Sequence, residues 1–196
     1  MKKSIATRQN ILQKAFALIY TQGYQTTSVD EIIATTQVTK GAFYYHFKTK
    51  DEMGLAILNE LMIPNFQKTF IEPFESEDHP FDIIYNQMEY LLIETDDLKV
   101  EYGCPASNFT QEMAPWHLDF TKSLNQLTIQ WEEAIKGCIN KGKINGSVRD
   151  EINADEVAIS IMSGYWGIRN LGKLKNSKSV YVTYLEGLKT YFNTLK

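Results

Sequence analysis

The chain has 196 residues, 43% hydrophobic and 22% charged, with a net charge of −4 and a pI near 5.5. That length suits a single molecule of one or two parts with a sizeable core, and an acidic average of this kind argues, taken alone, against nucleic acid as a partner. No run approaches the ~18 apolar residues of a membrane span, and no apolar stretch precedes a cleavage site, so a cytoplasmic protein without membrane contact is expected.

In chain order, Ile11, Leu12, Ala15, Phe16 and Ile19 recur at helical spacing and predict a first helix, with Gly23 where a C-terminal stop belongs. Two short apolar runs follow: Val29, Ile32 and Ile33, then Val38, Ala42 and Phe43. They read as two small helices joined by a tight turn, a helix-turn-helix. Thr27 with Asp30, and Ser28 with Glu31, each have the spacing of a capping box, so the first of the two begins at Thr27 or Ser28. Thr39 caps the second, whose first turn presents Lys40, Gly41 and Ala42 with unpaired backbone N–H groups. Phe43 and Phe47, four apart, share the face turned to the core.

These residue types match the chemistry of a DNA duplex, because a helix that enters the major groove by its N-terminus reads bases with its first turn. Lys40 neutralises a phosphate or donates to a guanine edge, Gly41 permits close backbone approach, and the Ala42 methyl meets a thymine methyl. Tyr44, Tyr45, His46 and Lys50 carry donors suited to phosphate, and Thr27, Ser28 and Thr39 complete the candidate DNA contacts. Singly, each tyrosine reads as ordinary packing; the ordered set favours DNA. Charge is placed accordingly. Residues 1–50 hold seven basic side chains (Lys2, Lys3, Arg8, Lys14, Lys40, Lys48, Lys50) against Asp30 and Glu31, net +5, and the remainder holds thirteen against twenty-two, net −9. A basic head on an acidic body steers the head towards phosphates.

The segment GYQTTSVDEIIATTQVTKGAFYYHFKTKDEM resembles the DNA-binding signature of the TetR family of bacterial transcriptional regulators, and the likeness runs over residues 7–53. Gln37 stands where a turn glycine is usual, and Ile33 where a small alanine is usual. A Gln at positive φ costs on the order of 1 kcal/mol, which a packed domain tolerates. The resemblance implies a homodimeric repressor that leaves a palindromic operator when its body binds a small-molecule inducer.

Residues 50–62, with Leu55, Ile57, Leu58 and Leu61, predict a fourth helix leading from a DNA-binding head (1–50) to a body for ligand binding and dimerisation (51–196). Asp51 and Glu52 suit its positive end and leave Lys50 free for phosphate. A head of this size buries little apolar area and needs support from elsewhere in the chain. The fold class is all-α. Pro64 and Pro73 interrupt or end the linker helix; 80–95 is a strong helix and 94–101 a loop. Residues 105–114 form a short helix, and 120–138 a long one ending before a 142–146 turn. A helix capped by Asn153 and Glu156 runs through Leu171, and 180–195 forms the last.

Tyr85, Met88, Tyr102, Phe109, Met113, Trp116, Trp131, Tyr165 and Trp166 are more rings and thioethers than aliphatic packing needs. They read as plain core or as the lining of an adaptable cavity. The resemblance favours the cavity and an apolar or aromatic inducer; Glu89, Glu94 and Glu112 could counter a cationic drug, but read more plainly as surface carboxylates. Cys104, in GCPASNFTQEM, joins the candidate ligand-site residues; the segment resembles a Gly-Cys-Pro/Leu element of a TetR subgroup that includes regulators of drug or electrophile resistance. A helix N-terminus beside it favours the thiolate, whereas Glu101 and Glu112 oppose it and leave an inert buried thiol as the plainer reading. Cys104 and Cys138 form no CxxC pair, and no disulfide is expected.

His46, His79 and His117 are scattered, and no HExxH, GxSxG, GxGxxG or P-loop pattern occurs, so no catalytic, metal or cofactor site is expected. His117 reads as a solvent-facing loop residue. The alternatives are an all-α enzyme built from scattered residues and a DNA-organising protein without an inducer. For assembly, Ser160, Gly164 and Gly167 leave one helix face bare, and Val180, Tyr184, Leu188, Tyr191 and Leu195 add an apolar stripe. The last two helices therefore predict a homodimer surface, unless the stripe packs within one subunit.

Overall fold

The computed structural model describes residues 2–195, with side chains from Ser4 onward, and every regular element among them is helical. The elements are α1 (Lys2–Gln22), α2 (Val29–Thr36), α3 (Lys40–His46), α4 (Lys50–Ile57), α5 (Ile63–Phe66), α6 (Pro80–Glu89), α7 (Pro105–Met113), α8 (Leu118–Ile144), α9 (Ala154–Lys175) and α10 (Ser179–Leu195). Two compact units form: Met1–Asn65 with Pro105–Gln126, and Phe66–Cys104 with Leu127–Lys196.

The first unit reaches beyond residue 50 because three small helices cannot close a core by themselves. Phe109 and Met113 of α7, and Phe120 and Leu124 of α8, are buried with Ile11, Leu12, Tyr24, Ile32, Phe43 and Phe47 in one cluster. Phe43 and Phe47 are fully buried, each worth roughly 2–3 kcal/mol by area. α1 stops at Gly23, whose φ of 95° only glycine adopts freely and whose N–H bonds Ile19 O at 2.8 Å. Of the two possible caps for α2, Ser28 is the one used. Its hydroxyl accepts from Glu31 N at 3.2 Å and the Glu31 carboxylate accepts from Ser28 N at 2.7 Å. Thr27 turns back and donates to Gly23 O at 2.7 Å. Gln37 occupies the left-handed region, φ 58° and ψ 22°, and makes the turn without glycine.

Pro64 does not end the helix. After α4 the chain enters a π-turn, Leu58–Met62, in which Ile63 N bonds Leu58 O. The wider turn lies just ahead of a residue that has no N–H for the ladder, and the chain continues as α5. A second π-turn, Gln67–Ile71, and a 3-10 turn, Glu72–Glu75, which contains Pro73, carry it onward.

In the second unit, His79 caps α6. Its Nδ1 accepts from Phe81 N at 3.2 Å, which leaves the ring hydrogen on Nε2 to donate to Ser147 O at 3.0 Å. α8 continues past the expected stop to Ile144, because Gly142 serves packing: a Cβ there would sit 2.6 Å from Pro80 and Val148. Asn153 caps α9 through Asp155 N and Glu156 N, and α9 runs four residues further than expected, ending at left-handed Asn176. Gly164 lies under the Tyr184 ring, whose hydroxyl a Cβ would overlap, and Leu188 is buried. Both therefore pack within the subunit, against the dimer role that sequence spacing suggests. The outward face of α9 instead carries Ile159, Ser163, Gly167, Leu171 and Leu174.

Candidate functional site

Thr39 places α3: its hydroxyl accepts from Ala42 N at 3.1 Å and starts the helix at Lys40. Phe43, on the opposite side, is held in the core with Phe47, their ring centroids 6.0 Å apart. The outward face then presents Thr39, Lys40, Gly41, Tyr44 and Tyr45, the last 72% exposed, with Ala42 and His46 half-buried beside them. Ser28 is exposed at the start of α2. Thr27 is a correction. It is 1% exposed and its hydroxyl is spent on Gly23 O, so it cannot reach a phosphate. Lys40 pairs with Asp30 at 3.1 Å, a hydrogen bond that raises its pKa; both groups face water, so exchanging Asp30 for a phosphate costs little.

Lys50 is also placed differently from expectation. Its ammonium sits 4.4 Å over the Tyr24 ring and 3.4 Å from Gln25 O, and burial lowers its pKa despite the pull of Asp51, Glu112 and Glu31. The Tyr24 hydroxyl donates to Asp51 at 2.6 Å, and burial first and this bond second raise the phenol's pKa. Glu112 accepts from Gln25 N at 2.7 Å, so it is a structural partner of the head and not a loose surface carboxylate. His117 lies edge-on to Phe120, with Nε2 3.8 Å from Asp51, instead of facing solvent. Lys48, absent from the contacts expected from spacing, is exposed just beyond α3, one turn from Tyr44, and its ammonium donates to Tyr44 O at 3.2 Å. Lys48→Ala is expected to lower the slope of log affinity against log salt by about one unit. Lys50→Ala is expected to lower the melting temperature and leave that slope nearly unchanged, as DNA titrations across a salt series would show.

The aromatic candidates for a ligand site separate. Phe109 and Met113 belong to the core of the first unit, Phe109 lying 5.6 Å from Tyr24, and Trp116 is 82% exposed in the α7–α8 turn. In the second unit Trp131 and Tyr165 come together, 5.4 Å apart and nearly perpendicular, with Phe70 5.1 Å from Trp131 and 5.7 Å from Tyr165. Phe66 stacks on Phe70 at 4.3 Å. Phe66 and Phe70 carry an i, i+4 signal, hidden by treating Pro64 as a helix stop. Met88 is buried in α6, while Tyr85, Tyr102 and Trp166 are half-buried. Trp131 Nε1 and Gln87 Oε1 are buried without hydrogen-bond partners. Cys104 and Cys138 are buried and form no disulfide, and burial pushes the Cys138 thiol up to about 11. The small cleft lined by Tyr20, Tyr24, Phe109 and Glu112 offers about 10 Å³, enough for roughly one water.

Two family models match the chain. Residues 11–57 match the tetR family of bacterial regulatory proteins, and residues 84–188 match the tetracyclin repressor-like C-terminal domain. The chain is 28% identical over 160 residues to the HTH-type transcriptional repressor DhaR of Mycobacterium sp. (strain GP1), covering 82% of this chain and 79% of that protein. It is 25% identical over 162 residues to the HTH-type transcriptional regulator QacR of Staphylococcus aureus, covering 80% and 82%. In fold it is similar to a TetR transcriptional regulator from Chloroflexus aurantiacus J-10-FL, with a TM-score of 0.88 at 23% identity over 100% of this chain and 98% of that one.

Proposed function

The chain belongs to the tetR family of bacterial regulatory proteins and is a ligand-responsive, DNA-binding transcriptional regulator, and from that premise we propose how its own residues do the work. As a repressor, it reads one half of a palindromic operator with each head. Lys40, Gly41 and Ala42 meet base edges while Ser28, Thr39, Tyr44, Tyr45, His46 and Lys48 fix the register on phosphates. Lys50, half-buried, braces the head over the Tyr24 ring.

The observation that carries this reading is Gly41. A Cβ at that position would meet nothing within 4 Å, so nothing inside the protein asks for glycine on this helix. Glycine costs a helix roughly 1 kcal/mol relative to alanine, and close approach of the backbone to a groove wall supplies the reason to keep it. Gly41→Ala is therefore expected to raise thermal stability slightly and weaken operator binding about tenfold. Unchanged binding, measured by fluorescence anisotropy with a labelled operator, would remove Gly41 from the interface.

We propose further that the inducer lies in the body against Phe70, Trp131 and Tyr165. Trp131 Nε1 and Gln87 Oε1 support this, since buried polar atoms without partners cost about 1–3 kcal/mol each and a ligand group can satisfy them. Two copies of the chain pair through the outward face of α9, where Ile159, Leu171 and Leu174 are exposed around Gly167, joined by Val182 of α10.

A further inference from the structure

Arg169 of α9 is completely buried, yet none of the ion pairs among the described residues includes it. Its guanidinium donates to three backbone carbonyls of one segment: Leu98 O at 3.2 Å, Lys99 O at 3.0 Å and Gly103 O at 2.5 Å. Carbonyls are dipoles and bring no counter-charge. The exposed Glu101 carboxylate acts on Tyr181 from a distance but forms no ion pair with Arg169, so the buried charge stays costly and the cost is relieved when an anion arrives.

Two donors in the same corner remain unused. Arg169 Nε has no hydrogen-bond partner, and neither does the hydroxyl of Tyr181, which is fully buried on α10 with its ring 5.5 Å from the guanidinium. The Tyr181 hydroxyl lies against Gly172, three residues after Arg169, in space a Cβ would fill. One turn in the other direction on the same face of α9 is Tyr165, in the Trp131–Phe70 ring cluster.

Building on the reading that the body holds an inducer, we propose that Arg169 and Tyr181 bind the carboxylate of a small organic acid whose apolar part lies against the Trp131 and Tyr165 rings. One oxygen accepts from Arg169 Nε–H and the other from the Tyr181 hydroxyl. A single cation with two free donors fits a singly charged group with two oxygens; a phosphate would bring further oxygens and charge that nothing here satisfies. The separation of one helical turn between Tyr165 and Arg169, about 6 Å, suits an acid the size of benzoate.

Calorimetry and thermal shift on the full chain, comparing benzoate and cyclohexanecarboxylate with their neutral amides and with sodium chloride, test this. Both acids are expected to bind saturably and raise the melting temperature, and the amides to bind at least tenfold more weakly. Tyr181→Phe keeps the ring and removes a hydroxyl without a partner, and is expected to weaken acid binding about tenfold. Arg169→Gln is expected to abolish it; if that variant does not fold, Tyr181→Phe decides. Equal binding of acid and amide, no response to Tyr181→Phe, saturation by chloride alone, or no binding of either acid overturns the proposal. Acid binding that follows the expected pattern but leaves DNA bound keeps the carboxylate site and overturns its use as the inducer site. DNA release by neutral molecules, with acid and amide alike, does the reverse.

Discussion

Leu171→Glu combined with Leu174→Glu is expected to cut operator affinity at least about a thousandfold while helical content stays near wild type. One head reaches too few base pairs to be specific, and two heads on a two-fold axis gain the roughly 10³–10⁷-fold margin that separates specific from non-specific binding. Leu174 is 82% exposed and Leu171 47% exposed, so charges at these positions meet water in the single chain and would be buried only at the proposed α9 interface of a dimer. Sedimentation would show a monomer, and anisotropy would show binding reduced to a salt-dependent, sequence-indifferent remainder. A double variant that stays dimeric places the interface elsewhere. Gly164 and Leu188, which the sequence pattern favours for this experiment, would give an ambiguous result, because both pack inside the subunit and their replacement is expected to destabilise it.

Arg169→Met is expected to cost about 3–6 kcal/mol, a large part of the roughly 5–15 kcal/mol that holds a domain folded. The methionine fills most of the volume and removes a buried charge, which by itself favours the variant. It also removes the hydrogen bonds to the carbonyls of Leu98, Lys99 and Gly103, two of which share one guanidinium nitrogen. Losing three charged hydrogen bonds outweighs the relief of the charge. Urea unfolding followed by far-ultraviolet circular dichroism would show the midpoint fall; a loss below about 1 kcal/mol would mean that water replaces the guanidinium at these carbonyls.

What the sequence discloses is what is local. The capping box at Ser28 and the caps at Thr39 and Asn153 involve partners two or three residues away, and the alternation of Phe43 and Phe47 with Tyr44 and Tyr45 assigns the two faces of α3. The choice between Thr27 and Ser28 lies beyond spacing, because it depends on whether a hydroxyl turns back to Gly23. Long-range partners account for the other differences. Lys50 has the charge and position of a phosphate contact, but the Tyr24 face lies beneath it; Phe109 and Met113 look like pocket residues until α7 completes the core around Tyr24. Gly142 reads as a turn because glycine usually marks one, whereas the ring of Pro80, far off in the chain, is what requires it. Gln87 and Arg169 carry no motif at all, and only their unpaired atoms in a folded interior mark them.

The claim on which the rest depends is that α3 and its surroundings read a symmetric DNA site. Selection of bound duplexes from a random pool by the purified full chain, followed by footprinting on the winning sequence, tests it most directly. The predicted result is one short protected stretch built as an inverted repeat, its half-sites one or more helical turns apart, roughly 10 base pairs per turn, with protection lost in Tyr45→Ala. Enrichment of no sequence, or broad protection without symmetry that survives Tyr45→Ala, would contradict it.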